Sequence, residues 1–212
     1  ADETGVLALD MRIAVAADTG KVRGRGHPRF AVRPYPNEWE RHVTLPDGRA
    51  VFLRPVRPED EPLFVAFFSR VTPEDLRLRF FAPLKEMSHV FIARLTQLDY
   101  ARAMAFIAID EATGDMIGGV RVHADANLET AEYAVLVRSD LKGRGLGWVL
   151  MSMVLEYARS EGIHVVEGQV LRENTAMLQM CEELGFQVKE DPDDPGVRIA
   201  RLELDREPAT PG

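Results

Sequence analysis

Three glycines within six residues, Lys142–Gly147, separate a predicted strand from a predicted helix. Glycine lets backbone N–H groups approach a ligand closely and accepts positive φ. The amino end of the helix that follows carries about half a positive charge. Lys142 and Arg144 add full charges beside it. The segment therefore predicts an anion-binding loop that suits a pyrophosphate, and the alternative is a glycine-rich turn with solvated cations.

Three kinds of phosphate-binding loop compete for this segment. A Walker loop needs Lys followed by Ser or Thr after its second glycine, and this chain lacks that pair. A dinucleotide-binding fingerprint needs a glycine three residues after Gly145, where the chain has Trp148. That fingerprint also follows the first strand of its domain, whereas this loop comes late in the predicted order of strands. The remaining pattern, Gln/Arg-x-x-Gly-x-Gly/Ala, fits residues 142–147 with Lys142 in its first position.

The apolar periodicity around the loop predicts an α/β (α+β) domain with a mixed sheet. Residues 146–159 carry a helical stripe, and the segments before them alternate as strands. The order is one strand, two or three helices, three strands, a helix, a strand, a helix and two strands. The predicted strands are 49–55, 103–110, 116–124, 130–138, 163–171, 186–189 and 197–204, and the predicted helices begin near 58, 72, 88, 146 and 174.

Charge and composition exclude several classes of protein. The 212 residues carry a net charge of −8, which argues against nucleic acid as a partner. The apolar run Trp148–Leu155 is too short to cross a bilayer, so no membrane partner is expected. The five histidines are scattered and Cys181 is the one cysteine, so we expect no disulfide and no metal site. A chain of this kind is typical of the cytoplasm.

The first forty residues differ in composition from the rest. Val6–Ile13 is a candidate strand, and Thr19–Pro36 is rich in Gly, Arg and Pro. We therefore predict an arm or linker over residues 1–40, a body over 41–207 and a tail over 208–212. The sequence begins with Ala1 rather than Met, which is typical of a piece cut from a longer protein.

A second motif lies downstream of the glycine loop. It is an Asn174 at the start of a helix that ends in Leu184-Gly185-Phe186. Together with residues 142–147, it resembles the two signature segments of the GNAT acetyltransferase superfamily. Further segments are similar to the GNAT domain of bacterial Pat-type protein lysine acetyltransferases, in which that domain is fused to a region like ADP-forming acyl-CoA synthetases. These segments are 54–61, 76–81, 95–100 and 131–138, and residues 5–15 and 27–36 resemble the end of the ATP-grasp part of the fused region.

The resemblance implies a GNAT fold, a mixed central sheet flanked by about four to five helices. It implies acetyl-CoA as co-substrate and no metal. Members of the subgroup acetylate a lysine on acyl-CoA synthetases such as acetyl-CoA synthetase and switch them off. The implied partner is thus a protein substrate with a target lysine.

The implied mechanism centres on Glu132. A lysine side chain must lose its proton before it attacks a thioester, and this costs about 4–5 kcal/mol near pH 7. Glu132 matches the family's basic glutamate and lies on the strand that leads to the glycine loop. Glu129 is the second candidate, and the alternative for Glu132 is a solvated strand residue.

The same resemblance assigns the cofactor-binding residues. The backbone of Leu136 and Val137 would bind the pantetheine arm, and Val137 N–H would also polarise the thioester carbonyl. Asn174 would contact the cofactor near the point where the strands part. The residues assigned to the pyrophosphate loop are Lys142, Gly143, Arg144, Gly145, Leu146 and Gly147.

One position departs from the family pattern and leaves other functions open. Many GNAT enzymes have a tyrosine general acid where this chain has Cys181, which is either a proton donor or a buried structural thiol. The departures at Lys142 and Cys181 leave room for an acetyl-CoA sensor without transfer activity. An acidic chain also suits a small cationic amine as substrate, and a purely structural module is the last alternative.

Overall fold

The computed structural model describes residues 35–82, 87–100 and 102–204, and these residues form one eight-stranded sheet with five α-helices. The predicted α/β fold is therefore confirmed. The predicted strand at 6–13 and the tail at 208–212 lie outside the described residues. The strands are β1 (Arg41–Thr44), β2 (Ala50–Pro55), β3 (Ala103–Asp110), β4 (Met116–Ala124), β5 (Thr130–Val137), β6 (Val165–Leu171), β7 (Gln187–Glu190) and β8 (Val197–Glu203), and the helices are α1 (Glu61–Phe68), α2 (Pro73–Phe80), α3 (His89–Thr96), α4 (Leu146–Ser160) and α5 (Thr175–Glu183).

The strand order across the sheet is β1-β2-β3-β4-β5-β6-β8-β7. Strands β1 to β5 follow one another as antiparallel neighbours, and β3 and β4 form the hairpin that the turn between them predicts. Strand β6 runs parallel to β5 after the α4 crossover, and β8 lies between β6 and β7. The sheet is mixed because of this single parallel pair among the described strands.

Helices cover both faces of the sheet and form two apolar cores. On one face, α4 packs Leu146, Leu150 and Val154 against the inward side chains of β3 to β6. On the other face, α1, α2 and α3 enclose a cluster rich in phenylalanine, including Phe67 and Phe68. Side chains of a strand alternate between faces, so neighbouring β5 residues contribute to different cores.

Local sequence signals explain where the helices begin. Thr72 accepts a hydrogen bond from the amide of Asp75 (3.3 Å) and so caps the helix that the sequence predicts to begin near residue 72. Ser88 caps α3 in the same way through the amide of Phe91 (3.2 Å). These caps satisfy amides that a helix leaves without internal partners.

The residues just before β1 already pack against the core of the domain. Residues Asn37–Trp39 form a short 3-10 turn, and Trp39 is buried against Phe106 and Tyr157, with ring centroids 5.8 and 5.5 Å apart. Thus Trp39, within the segment predicted as an arm, belongs to the core. None of the helices within 35–82, 87–100 and 102–204 has the length and apolar character needed to cross a membrane.

Candidate active site

The sheet opens between β5 and β6. These strands pair only through Thr130–Glu132 and Val165–Glu167, and each strand continues beyond that point without pairing to the other. A cleft of about 390 Å³ lies at the opening. Its walls come from α2, β5, the glycine loop, the start of α4, β6 and α5. Motifs far apart in sequence therefore meet around one cavity.

The backbone of β5 presents an unpaired edge to this cleft. Just beyond the end of β5, the amide of Arg138 donates a hydrogen bond to the carbonyl of Ile117 on the neighbouring strand β4 (2.9 Å). Because successive residues point their polar backbone groups to opposite edges, even-numbered residues face β4 and odd-numbered residues face β6. The N–H and C=O groups of Val135 and Val137 therefore point into the cleft and have no strand partner among the described residues.

This alternation distinguishes the two backbone positions that the sequence predicted. It supports the predicted role of Val137 and adds Val135, which the prediction missed. The backbone of Leu136 faces β4, where Gly119 is its register partner. The side chain of Leu136 packs with the core under α1 to α3. The predicted backbone role of Leu136 is thus better assigned to Val135.

The glycine loop has the backbone conformation that an anion-binding loop requires. Gly143 and Gly145 have φ values of 73° and 87°, a region that strongly favours glycine. Gly145 is also tightly packed, because a Cβ atom there would lie 3.2 Å from Cδ of Pro46. No side chain within the described ranges caps α4, so the first-turn amides at Leu146 and Gly147 are available to a ligand.

A glycine on the neighbouring strand brings α4 close to the sheet. A Cβ atom on Gly118 would lie 3.1 Å from Cδ2 of Leu146 and 3.2 Å from Cδ1 of Leu150. A larger residue would therefore push the start of α4 away from β4. The amino end of the helix stays at the cleft because residue 118 has no side chain.

The two cations of the loop already have acidic partners. Lys142 forms an ion pair with Asp75 in the first turn of α2. Arg144 lies 3.3 Å from the carboxylate of Asp47 in the turn between β1 and β2. Burial alone would raise the pKa of Asp75, but hydrogen bonds from Lys142 and Ser139 hold that pKa below its usual value. The electrostatic attraction for an anion therefore comes mainly from backbone amides.

Asn174 lies at the junction of β6 and α5 and lines the cleft. Its side-chain oxygen accepts a hydrogen bond from the amide of Met177 (3.3 Å), so it caps α5. The structure thus places Asn174 where the sequence predicted it. Its amide nitrogen, the other half of the side chain, is available for a ligand.

Glu132 lies where the two strands part, and its side chain is exposed to the cleft. His123 is its register partner on β4, and Arg121 lies two residues further along on the same face. Arg79 reaches the same cleft from α2. Burial lowers the pKa of Arg79 to about 10 and also lowers that of Arg121, while the nearby Glu132 carboxylate opposes both shifts. A carboxylate thus faces the cleft beside two guanidinium groups.

The second candidate base lies elsewhere. Glu129 is exposed in the turn before β5, and its carboxylate is 3.7 Å from the ring of His164. It is not part of the cleft wall. The geometry therefore favours Glu132 over Glu129 as the carboxylate that can meet a ligand in the cleft.

Tyr133 and Cys181 lie at the base of the cleft. The tyrosine hydroxyl is 3.1 Å from the cysteine sulfur, and either atom can donate the hydrogen bond. Cys181 is fully buried, and burial raises the pKa of its thiol. The Tyr133 ring lies over Gly168 of β6, where a Cβ atom would be only 2.7 Å from the ring. These contacts support a structural role for Cys181, and its role as general acid stays a prediction.

Several residues of this site were missed by the sequence analysis. None of Asp75, Arg79 and Arg121 was predicted as a site residue. Asp75 and Arg79 reach the cleft from α2, and Arg121 lies beside Glu132 through the strand register. The one signal in the sequence is the even spacing of Arg121 and His123 on β4, which puts both on the sheet face that carries Glu132. In the described parts of the chain, no group of three metal-ligating side chains occurs.

Comparisons with known proteins agree with this geometry. A model of the acetyltransferase (GNAT) domain family matches residues 50–187. An acetyltransferase of Pseudomonas aeruginosa is 35% identical over 163 residues, which cover 76% of this chain and 88% of that protein. Acetyltransferase Pat of Mycolicibacterium smegmatis is 30% identical over 151 residues, which cover 70% of this chain and 45% of that protein.

A solved structure shows the same architecture. The crystal structure of the GNAT domain of S. lividans PAT superposes with a TM-score of 0.75 at 30% identity and covers 81% of this chain and 100% of that one. Two more distant structures of the same fold, 12% and 18% identical, contain coenzyme A and acetyl-CoA. The chain therefore belongs to the GNAT acetyltransferase family and is related to the Pat acetyltransferases.

Proposed function

We propose that this chain is an acetyl-CoA-dependent protein lysine N-acetyltransferase of the cytoplasm that acts on acyl-CoA synthetases. The observation that carries this proposal is the position of Glu132, an exposed carboxylate at the point where β5 and β6 part. The relation of the chain to the Pat acetyltransferases supports a protein substrate. The family to which the chain belongs supports acetyl transfer.

The cleft suits acetyl-CoA, which supplies the activated acetyl group. The unpaired backbone of Val135 and Val137 would hydrogen-bond the amides of the pantetheine arm, in the manner of an added strand. The first-turn amides of α4, with Gly143 and Gly145 at positive φ, would hold the pyrophosphate. Asn174 would contact the arm from the β6 side of the cleft.

Glu132 would take a proton from the acceptor ammonium, directly or through one water molecule. The neutral amine then forms the new C–N bond to the acetyl carbon. The C–S bond breaks and its electron pair stays on the sulfur. The second proton that the nitrogen loses passes to this thiolate, directly or through water. The N–H of Val137 would polarise the carbonyl oxygen during this step. A thiolate leaves readily, so the site does not need a strong acid beside the sulfur.

The decisive experiment measures acetyl transfer from acetyl-CoA to purified acetyl-CoA synthetase. Glu132→Gln should reduce kcat/KM by at least about a hundredfold, because it removes the base and keeps the shape of the side chain. Its affinity for acetyl-CoA should stay near that of the parent. Glu129→Gln is the matched control, since that carboxylate lies outside the cleft wall, and it should keep near-parental activity.

Other outcomes would lead to other functions. Equal rates for the parent and Glu132→Gln would remove Glu132 from the role of base. Acetyl-CoA binding without transfer to any amine would indicate a sensor. Transfer to free amines but not to the synthetase would indicate a small-molecule N-acetyltransferase.

A further inference from the structure

Two arginines beside Glu132 carry charge that the described chain does not balance. Neither Arg79 nor Arg121 forms an ion pair or hydrogen bond with a described residue, although both side chains are largely shielded from solvent. Arg79 does lie against the ring of Phe80, with its guanidinium carbon 4.7 Å from the ring centroid. Glu132 is the acidic residue whose charge reaches both.

This arrangement leaves an excess of positive charge. Two guanidinium groups face one carboxylate, in a chain whose net charge is −8. Shielding a charge from water is costly unless an opposite charge or hydrogen-bond acceptors replace the water. The two half-buried arginines therefore favour a further anion, and the cleft is the route by which one can arrive.

The phosphates of a bound coenzyme do not meet this requirement. The glycine loop lies beyond the end of β5, whereas Arg121 is the register partner of Ala134 in the middle of that strand. Arg121 also lines a cavity on the sheet face covered by α1 to α3, and α4 covers the opposite face. Arg121 and the phosphate loop thus serve different ends of the site, and Arg79 lies on the same side as Arg121 in the cavity that both line.

We propose that Arg79 and Arg121 bind a carboxylate on the acceptor, so that the preferred acceptor has an acidic group beside its reactive amine. Arg121 and Glu132 are diagonal neighbours on adjacent strands. The backbone positions of such neighbours are about 7–8 Å apart. A carboxylate on the arginines and an amine at Glu132 would then belong to one small structural unit. Guanidinium groups suit this task because they bind carboxylates in a two-pronged fashion.

Two sources provide this chemistry. One is an Asp or Glu beside the target lysine of a protein, and the other is the α-carboxylate of a free amino acid. The inference rests on the proposed transfer at Glu132, but it holds for either source. It narrows the acceptor from any amine to one that carries an acidic neighbour.

The test compares acceptors that differ only in one negative charge. One pair is a lysine peptide with Glu next to the lysine and the same peptide with Gln. The other pair is free L-phenylalanine and L-phenylalaninamide. The parent protein should favour the carboxylate member of at least one pair by about 10- to 100-fold in kcat/KM, after correction for the fraction of neutral amine.

Substitutions then assign the preference to the arginines. Arg79→Gln and Arg121→Gln should each reduce the preference toward unity through a rise in KM for the carboxylate acceptor, and Arg121→Lys should retain part of it. Arg159→Gln, at an exposed position in the last turn of α4, is the matched control and should leave the preference unchanged. Thermal unfolding and acetyl-CoA affinity verify that each variant is folded.

Equilibrium titration tests the preference for an acceptor that binds to the protein without being acetylated. Protein loaded with coenzyme A should bind the carboxylate acceptor more tightly than its amide, and Arg121→Gln should remove the difference. Equal transfer and equal binding within both pairs would overturn the inference even if acetyl-CoA synthetase is acetylated. A carboxylate preference confined to free amino acids would support the inference and reject the protein substrate.

Discussion

The hydroxyl of Tyr133 and the thiol of Cys181 meet 3.1 Å apart at the base of the cleft. Tyr133 is the first β5 residue beyond the pairing with β6, and Cys181 belongs to α5. The contact therefore joins the two sides of the opening just where the strands part. Its partners are both buried, and both prefer to stay protonated.

This pair predicts a loss of stability in alkaline solution. Burial raises the pKa of the Cys181 thiol above its unfolded value of 9.0 and the pKa of the Tyr133 hydroxyl above its unfolded value of 10.0. The contribution of the two neutral groups to stability is therefore full below pH 9 and is lost as the pH rises. The free energy of unfolding should fall above pH 9 with a slope of up to about 1.4 kcal/mol per pH unit for each group. Urea unfolding at pH 8 and pH 10 measures it, and Cys181→Ala should show a smaller fall.

This first prediction has a further readout, because the burial that raises the pKa of the Cys181 thiol also makes the thiol unreactive. Cys181 should not react with a disulfide reagent such as Ellman's reagent in the native protein, and it should react fully in urea. Fast native labelling would contradict the buried pair and would support the role of Cys181 as a proton donor in the cleft.

A second prediction concerns the source of anion binding in the loop. Lys142→Ala should weaken acetyl-CoA binding by no more than about fivefold, because Asp75 already neutralises that charge. Gly145→Ala should weaken it more, since it strains a residue at φ 87° and brings a Cβ atom against Pro46. Calorimetric titration at two salt concentrations compares them, and the reverse order would show that charge dominates.

A third prediction tests the packing of Tyr133 over β6. Gly168→Ala should reduce the free energy of unfolding by about 1–3 kcal/mol, because the new methyl group would lie 2.7 Å from the ring. Gly119→Ala is the strand comparison and should cost less, since a Cβ atom there would lie 3.1 Å from the movable terminal methyl of Met116 and 3.3 Å from the carbonyl oxygen of Phe106. The loss at Gly168 should shrink when Tyr133 is replaced by Leu, and equal losses in both backgrounds would argue against the clash.

A fourth prediction concerns the buried ion pair between β2 and the turn before α1. Arg54 donates two hydrogen bonds to Asp60, of 2.7 and 2.6 Å, and both side chains are buried. Asp60→Ala should cost about 3–5 kcal/mol in urea unfolding, because it leaves a buried guanidinium without its partner. Glu59→Ala, at an exposed neighbouring position, should change stability by less than about 0.5 kcal/mol.

The features predictable from sequence are those that depend on near neighbours. The stripe of α4, the cap at Thr72 and the positive φ of Gly145 follow from residues close together in the chain. Strand β1 (Arg41–Thr44) was missed because it is short, mostly polar and held by its pairing with β2.

The arrangement of the site depends on contacts between distant residues and was harder to predict. Lys142 and Asp75 are 67 positions apart, so no residue near Lys142 in the sequence indicates that its charge is neutralised. The extent of pairing between β5 and β6 decides which backbone amides face the cleft, and no pattern in either strand specifies it. The resemblance to a family located Glu132, whereas its neighbour Arg121 required the strand register and Arg79 required the packing of α2.

The short pairing between β5 and β6 also has a mechanical consequence. Strands β1 to β5 and strands β6 to β8 form two half-sheets, and the backbone pairing described between them involves three residues of each inner strand. A ligand that hydrogen-bonds across both inner edges would act as a splint and stiffen the two halves together. Amide hydrogen exchange in Tyr133–Val137 would then report occupancy of the cleft, whichever acceptor the enzyme prefers.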